Sequence, residues 1–365
     1  MEAAAETSTR RRTDLPPDAR VTVFVPARNE AAHIRETLEC ILAQDYPHEL
    51  IHLLFVDGMS TDRTREVTTE VLSAQSRMQW EILDNPNRDL TSAYVVAQSC
   101  MRGDVFIYVC AHASIAPDYV TAVVRALRQI PCDGVSGPQI MHGRTPVGRA
   151  IAVAFTSPFG VGGAKHRYIE GDEPVEMFAP MPSFRGRLMR ELGGLSPETL
   201  GYVEDVEYWS RLRAAGARIY VDPRIHYKFY GRQTYGALFR QMLKYGTGRG
   251  WITRRHRLLR PDHLLPTTWV ASLVAALVLA AWHPLWGAAL GAASVALHEG
   301  ASLLFAARTC RARGESLALV PLVMFACLIM HLNYGIFFVK GLLIGRDRAT
   351  ERLAREQIGA ASTAK

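Results

Sequence analysis

Hydrophobic and polar positions follow two different rules along this chain. Up to about residue 260, short apolar runs alternate with stretches whose apolar residues recur at helical spacing. Val21-Thr22-Val23-Phe24-Val25, closed by Pro26, predicts a strand. Asn29 is then placed to cap a helix from Glu30, with Ile34, Leu38, Ile41 and Leu42 on one face. Ile51–Val56 predicts a second strand ending in Asp57-Gly58, and Ser60 or Thr61 a cap for a second helix to about Ala74. Trp80–Leu83, Thr91–Met101 and Val105–Val109 read as strand, helix and strand. This alternation predicts an α/β fold, a mostly parallel, doubly wound sheet with helices on both faces. Ligands on such sheets bind beyond the carboxyl ends of the strands.

The second rule is plain hydrophobicity. No Asp, Glu, Lys or Arg occurs from Leu264 to Leu297, or from Ser316 to Val339. A membrane-crossing helix needs ~20 mostly apolar residues. The first run is long enough for two, about Leu264–Trp282 and Leu285–Ala307, divided at His283-Pro284. The run from about Leu317 to Ile344 reads as a third. Arg249, Arg254, Arg255, Arg257 and Arg260 precede the first, and Arg308, Arg311 and Arg313 separate the second from the third. Lys and Arg mark the cytoplasmic side, so both segments belong there. A third crossing then puts Arg346, Arg348, Arg352 and Arg355 outside, against that rule. His298 and Glu299 fall inside the second span, where an acid needs a polar partner such as His331 or Asn333.

The averages conceal this split. Mean hydropathy is near zero, with 48% apolar and 21% charged residues among 365. Disordered, collagen-like and disulfide-rich classes are excluded. The six cysteines form no Cys-x-x-Cys pair, which argues against a zinc ribbon and suits a reducing compartment. The net charge of +7 gathers beside the spans, which points to anionic lipid and not to nucleic acid. Arg10-Arg11-Arg12 is followed by no apolar stretch, so no signal peptide is expected. The expected organisation is an arm over 1–20, a cytoplasmic domain over 21–230, basic interfacial helices over 231–262, about three transmembrane helices over 263–345 and a polar tail over 346–365. The expected location is the plasma membrane, multi-pass.

The strand ends carry the candidate chemistry: Arg28, Asn29 and Glu30 after the first, Asp57 after the second, Cys110 and His112 after the fourth. The first turn lacks Gly-x-Gly-x-x-Gly, so a dinucleotide is not expected. Val25-Pro26-Ala27-Arg28-Asn29-Glu30, then Val56-Asp57-Gly58-Met59-Ser60-Thr61-Asp62, then Asn85-Pro86-Asn87-Arg88 and Arg102-Gly103-Asp104, together resemble family 2 glycosyltransferases with a GT-A fold. Within that family the chain is most similar to membrane-bound, succinoglycan-type exopolysaccharide glycosyltransferases. The resemblance implies inverting transfer of a sugar from a nucleotide diphosphate sugar to a hydroxyl of a lipid-linked or cell-envelope glycan acceptor. It implies donor binding by Pro26, Arg28, Glu30, Asp57 and Arg88. Read without it, Glu30 also suits a first-turn carboxylate, though the Asn-Glu pair at the switch edge favours binding, and Asp57 equally suits a turn-forming Asp-Gly.

The same resemblance assigns Glu204-Asp205 to the acid pair opening a helix, with Asp205 as general base. It assigns Gln241, Lys244 and Tyr245 to a diphosphate and acceptor element, with Lys and Tyr where the family has Arg and Trp. Residues Tyr235, Leu238, Phe239, Met242 and Leu243 also read as the lipid face of an amphipathic helix. The family's divalent cation, Mn²⁺ or Mg²⁺, is held through Asp-x-Asp or Asp-x-His, and this chain has Cys110-Ala111-His112. His112 remains a candidate ligand, whereas a thiol suits a hard ion poorly. Two readings result. One is an active membrane-anchored enzyme. The other is an impaired relative that binds a nucleotide sugar or a partner within a glycan assembly complex.

Overall fold

The computed structural model describes residues 15–74, 77–169, 171–180, 182–196, 204–256 and 261–345. Most of the expected N-terminal arm, Gly201-Tyr202-Val203, Arg257, Arg260 and the 346–365 tail lie outside the described residues. The described residues divide into two compact units, residues 15–139 with 169–229, and residues 140–168 with 230–345.

The strands are β1 (Val21–Ala27), β2 (Ile51–Asp57), β3 (Gln79–Asp84), β4 (Val105–Tyr108), β5 (Ala113–Ile115), β6 (Gly134–Ser136), β7 (Met141–His142), β8 (Val175–Glu176), β9 (Ser183–Arg185), β10 (Ile219–Val221) and β11 (Tyr227–Tyr230). The helices are α1 (Ile34–Leu42), α2 (Thr64–Ser73), α3 (Leu90–Cys100), α4 (Tyr119–Gln129), α5 (Pro146–Phe155), α6 (Pro158–Val161), α7 (Gly186–Leu192), α8 (Glu204–Ala214), α9 (Tyr235–His256), α10 (Pro261–Trp282), α11 (Pro284–Ala312) and α12 (Val320–Leu343).

The first unit is built on a sheet of order β3-β2-β1-β4-β9-β6-β10-β8. The first four strands run parallel, β9 runs antiparallel to both β4 and β6, and β5 pairs antiparallel with β11. β1 and β2 are buried almost throughout, which is why they read as continuous apolar runs. Alternate residues divide between the faces. Val21, Val23 and Val25 pack with Ile34, Leu38 and Ile41 of α1 and with α4, while Phe24 packs with Tyr94 of α3, Met189 of α7 and Tyr208 of α8. Helices therefore cover both faces, as expected.

The expected caps are not formed. α1 begins at Ile34, because Asn29 has φ +57°, left-handed, where an N-cap needs extended backbone. Its Oδ1 instead accepts from the Thr61 N–H (2.8 Å), and its own N–H donates to Ser60 Oγ (3.1 Å). Asn29, Ser60 and Thr61 thus tie the β1 and β2 loops together, and α2 begins later, at Thr64.

In the second unit α10 and α11 are joined at His283, and α9 lies beside α12. Among the described residues, three stretches are long and apolar enough to cross a membrane: His263–Trp282, Pro284–Ala312 and Leu317–Leu343. Leu238 and Met242 are buried within the protein, so they do not belong to a lipid face of α9. Glu299 pairs with His298 (3.0 Å), whose other nitrogen meets His331 (3.0 Å), while Asn333 bonds the Ile329 carbonyl.

Candidate functional site

The order β3-β2-β1-β4 reverses direction at β1, so the crevice of the sheet opens between the carboxyl ends of β1 and β4. The register pairs Phe24 with Tyr108, which brings the loops carrying Glu30 and Cys110-Ala111-His112 side by side. His112 Nδ1 lies 3.2 Å from Glu30 Oε1. Cys110 Sγ lies 3.1 Å from His112 Nε2, and the Phe229 ring flanks the imidazole at 5.6 Å. Burial alone would lower the His112 pKa. Hydrogen bonds to Cys110 and Glu30, with their charges, outweigh it and lift it to about 10.

Asp57 closes β2 and is buried. Its Oδ1 accepts from the Ser60 N–H (3.0 Å), and its Oδ2 faces Arg65 (3.3 Å), which also bridges Asp84. Arg65 joins this cluster although the motifs did not suggest it. Its signal was available: β2 and β3 both end in Asp, and parallel register sets Asp57 beside Asp84. Two adjacent carboxylates need a cation. Pro26 is half-buried, while Arg28 and Arg88 are exposed. Among the described residues, three non-glycine residues have left-handed backbone, Asn29, Met59 and Arg88, one after each of β1, β2 and β3. Such conformations cost of order 1 kcal/mol each and gather where a binding surface has to be shaped.

Glu204 and Asp205 open α8, both half-buried, and Asp205 Oδ1 accepts from the Val206 N–H (3.0 Å). Arg211 fixes this helix. It forks onto Glu207 (2.7 and 3.2 Å) and donates to the carbonyls of Leu192 (2.8 Å) and Gly194 (2.6 Å). Tyr108 closes β4 at the same crevice. Burial pushes that phenol well above its ordinary range, and neighbouring Cys110, Tyr94 and the Glu204 carboxylate push it the same way. Glu30, Cys110 and His112 therefore gather at the β1/β4 end, and Asp57 sits one strand away. Gln241, Lys244 and Tyr245 belong to the second unit. There Gln241 Nε2 donates to Tyr245 Oη (3.2 Å), and Lys244 and Tyr245 are exposed.

Among the described residues, no three of His, Cys, Asp and Glu are arranged to hold a metal ion. The set nearest the expected position offers a thiol, an imidazole already engaged by Glu30, and that carboxylate. It does not fit a hard divalent ion on its own.

The family described as Glycosyl transferase family 2 matches residues 22–179, and that described as Glycosyl transferase family group 2 matches residues 107–340. The chain belongs to the family 2 glycosyltransferases. Among curated relatives, the succinoglycan biosynthesis protein ExoA of Rhizobium meliloti (strain 1021) is 28% identical over 328 residues, 89% of this chain and 96% of that protein. A dolichyl N-acetyl-alpha-D-glucosaminyl phosphate 3-beta-D-2,3-diacetamido-2,3-dideoxy-beta-D-glucuronosyltransferase of Methanococcus voltae is 24% identical over 240 residues, 64% of this chain and 74% of that protein. Among solved structures, the mannosyltransferase PcManGT from Pyrobaculum calidifontis, in complex with GDP-Man and Mn²⁺, is 20% identical with a TM-score of 0.54, covering 94% of each chain. That likeness supports the GT-A fold. The chain is a glycosyltransferase.

Proposed function

We propose that this glycosyltransferase is membrane-anchored, with its first unit in the cytoplasm. It moves a sugar from a nucleotide diphosphate sugar to a hydroxyl of a lipid-linked or cell-envelope glycan, with inversion. The observation that carries this reading is the meeting of Glu30, Cys110 and His112 at the β1/β4 switch point, and the Glu204-Asp205 pair opening α8 supports it. ExoA, by its name a protein of succinoglycan biosynthesis, supports the envelope-glycan acceptor. The GDP-Man bound to PcManGT supports a nucleotide sugar donor.

In this reading Asp57 and Glu30 hold the nucleoside by hydrogen bonds, and the Arg88 guanidinium meets a phosphate. Asp205 accepts the acceptor hydroxyl's proton as its oxygen attacks the anomeric carbon opposite the leaving diphosphate. One displacement of that kind inverts the centre. A divalent ion, Mn²⁺ or Mg²⁺, would need oxygen ligands that Cys110 and His112 do not supply.

The test is nucleotide release from UDP-, GDP- and dTDP-sugars by the full chain and by Asp205→Asn. Loss of a general base is expected to slow turnover by ~10²–10⁴-fold with donor affinity retained. A wild-type chain that binds donors yet turns over no faster than Asp205→Asn would overturn the enzymatic assignment of Asp205 and favour the binding-module reading.

A further inference from the structure

Composition makes α10, α11 and α12 equal candidates to cross a bilayer, but their contacts separate them. α10 and α11 form a hairpin with its tip at His283. Near the tip, Gly287 packs against Ala280 and Gly291 against Ala276, the close approach of small residues that suits helices in lipid. Around them Val274, Leu277, Trp282, Leu285, Trp286 and Leu297 are exposed.

α12 meets the hairpin at its base. His331 bonds His298, Gly335 lies against Pro266 and Val270, and Phe338 faces His263. Trp269 stacks on His298 at 3.9 Å, so the two mark one level. Trp269 is 13 residues before Trp282, and His298 is 14 after Pro284. At ~1.5 Å per residue both lie ~20 Å from the tip, which leaves ~10 Å to the far boundary of a ~30 Å hydrocarbon core. α12 starts eight residues after α11 ends, meets that level at His331, and lies against the entry of α10 at Gly335 and Phe338.

α9 carries the second argument. It runs parallel to α12 along its length: Tyr235 Oη donates to the Leu322 carbonyl (2.8 Å), and a Cβ on Gly246 would meet the Tyr334 carbonyl at 2.9 Å. At the far end Arg254 donates to the Leu343 carbonyl (3.0 Å). α9 holds Arg240, Lys244, Arg249, Arg254 and Arg255. A crossing by α12 would take that column into hydrocarbon, at ~2.5–3.5 kcal/mol for each charge near the centre.

We infer that α12 does not cross the membrane: α9 and α12 lie together in the interface at the base of the α10–α11 hairpin, and the chain crosses twice. The bilayer is the partner of their exposed apolar residues, among them Phe239, Phe325, Ile336 and Leu343. Interfacial helices sink ~5–10 Å past the headgroup boundary, the depth reached here. The sequence after Gly345 then continues on the side from which α10 enters. Arg346, Arg348, Arg352 and Arg355 no longer oppose the charge rule. This rests on the membrane-anchored reading.

The test is a dual reporter, fluorescent only inside the cell and phosphatase-active only outside, fused after Lys365 of the full chain or inserted at His283. Two crossings predict a fluorescent, phosphatase-inactive fusion at Lys365 and an active phosphatase at His283. An active phosphatase at Lys365 in a carbonate-resistant, membrane-embedded protein would overturn the assignment of α12 alone. Release of the chain by carbonate would overturn the anchor itself. Ile336→Lys should leave membrane yield within about twofold while Val274→Lys lowers it several-fold. Equal loss in the two variants would also overturn the interfacial placement.

Discussion

Arg211→Ala isolates what holds the acid pair's helix in place. The guanidinium bonds both Glu207 oxygens and the carbonyls of Leu192 and Gly194, and it lies over the Tyr208 ring at 5.0 Å. The Glu207 side chain is 10% exposed and that of Arg211 34%. Breaking a buried pair by removing one partner costs ~3–5 kcal/mol, chiefly through the charge left behind. Water reaches one side of this pair, so about 2–3 kcal/mol is expected. At ~2–4 °C per kcal/mol for a domain of this size, the thermal midpoint should fall by about 5–10 °C. Intrinsic tryptophan fluorescence of the detergent-solubilised chain reads it, with all variants heated at one rate because such unfolding is rate-dependent. Glu207→Gln added to Arg211→Ala removes the orphaned charge and should recover part of the loss. A double variant as unstable as the sum of the singles would refute the argument, because the cost would then lie in packing and not in an unpaired carboxylate.

Three further outcomes follow from the geometry. The His112 pKa is raised to about 10 from an ordinary value near 6.5, so its contribution to stability is complete below about pH 6.5 and is lost as pH rises through about 10. Glu30→Gln should flatten the fall in thermal midpoint between pH 7 and 10, and an unchanged slope would contradict the pairing. Cys110→Asp supplies the hard oxygen that the strand end lacks, so nucleotide release should become more sensitive to EDTA and to added Mn²⁺ than in the wild type. Gly341→Ala places a Cβ 2.1 Å from the Thr247 carbonyl, whereas nothing lies within 4 Å of Gly300. Thermal unfolding should show Gly341→Ala destabilised by ~1–3 kcal/mol, while Gly300→Ala is neutral or stabilised by up to ~1 kcal/mol.

The sheet and its helices were legible because burial leaves a direct trace. β1 and β2 are apolar throughout since both faces are covered, and Ile34, Leu38 and Ile41 recur at helical spacing since one face of α1 meets the sheet. The caps were not legible. Asn29, Ser60 and Thr61 are cap-type residues, and their side chains serve equally well to join two loops. The choice is made by a neighbouring strand that local sequence does not display. Arg65 was missed for a related reason. Its role depends on register, which sets Asp57 beside Asp84 across 27 positions of chain.

The membrane region shows the same limit more sharply. Hydropathy measures whether a helix tolerates lipid, and α12 passes that test as well as α10 does. It cannot say what runs alongside. Arg240, Lys244, Arg249, Arg254 and Arg255 lie some 90 residues before their neighbours on α12, so no window along the chain contains both. Yet the sequence did carry one trace of the answer, the four arginines after Gly345 that a third crossing would place on the wrong side. A charge rule and a packing contact are independent constraints: the first concerns translocation across the bilayer, the second the cost of drawing charges into it. Both oppose a third crossing. That agreement, more than either argument alone, makes the side on which Lys365 emerges the decisive measurement for this architecture.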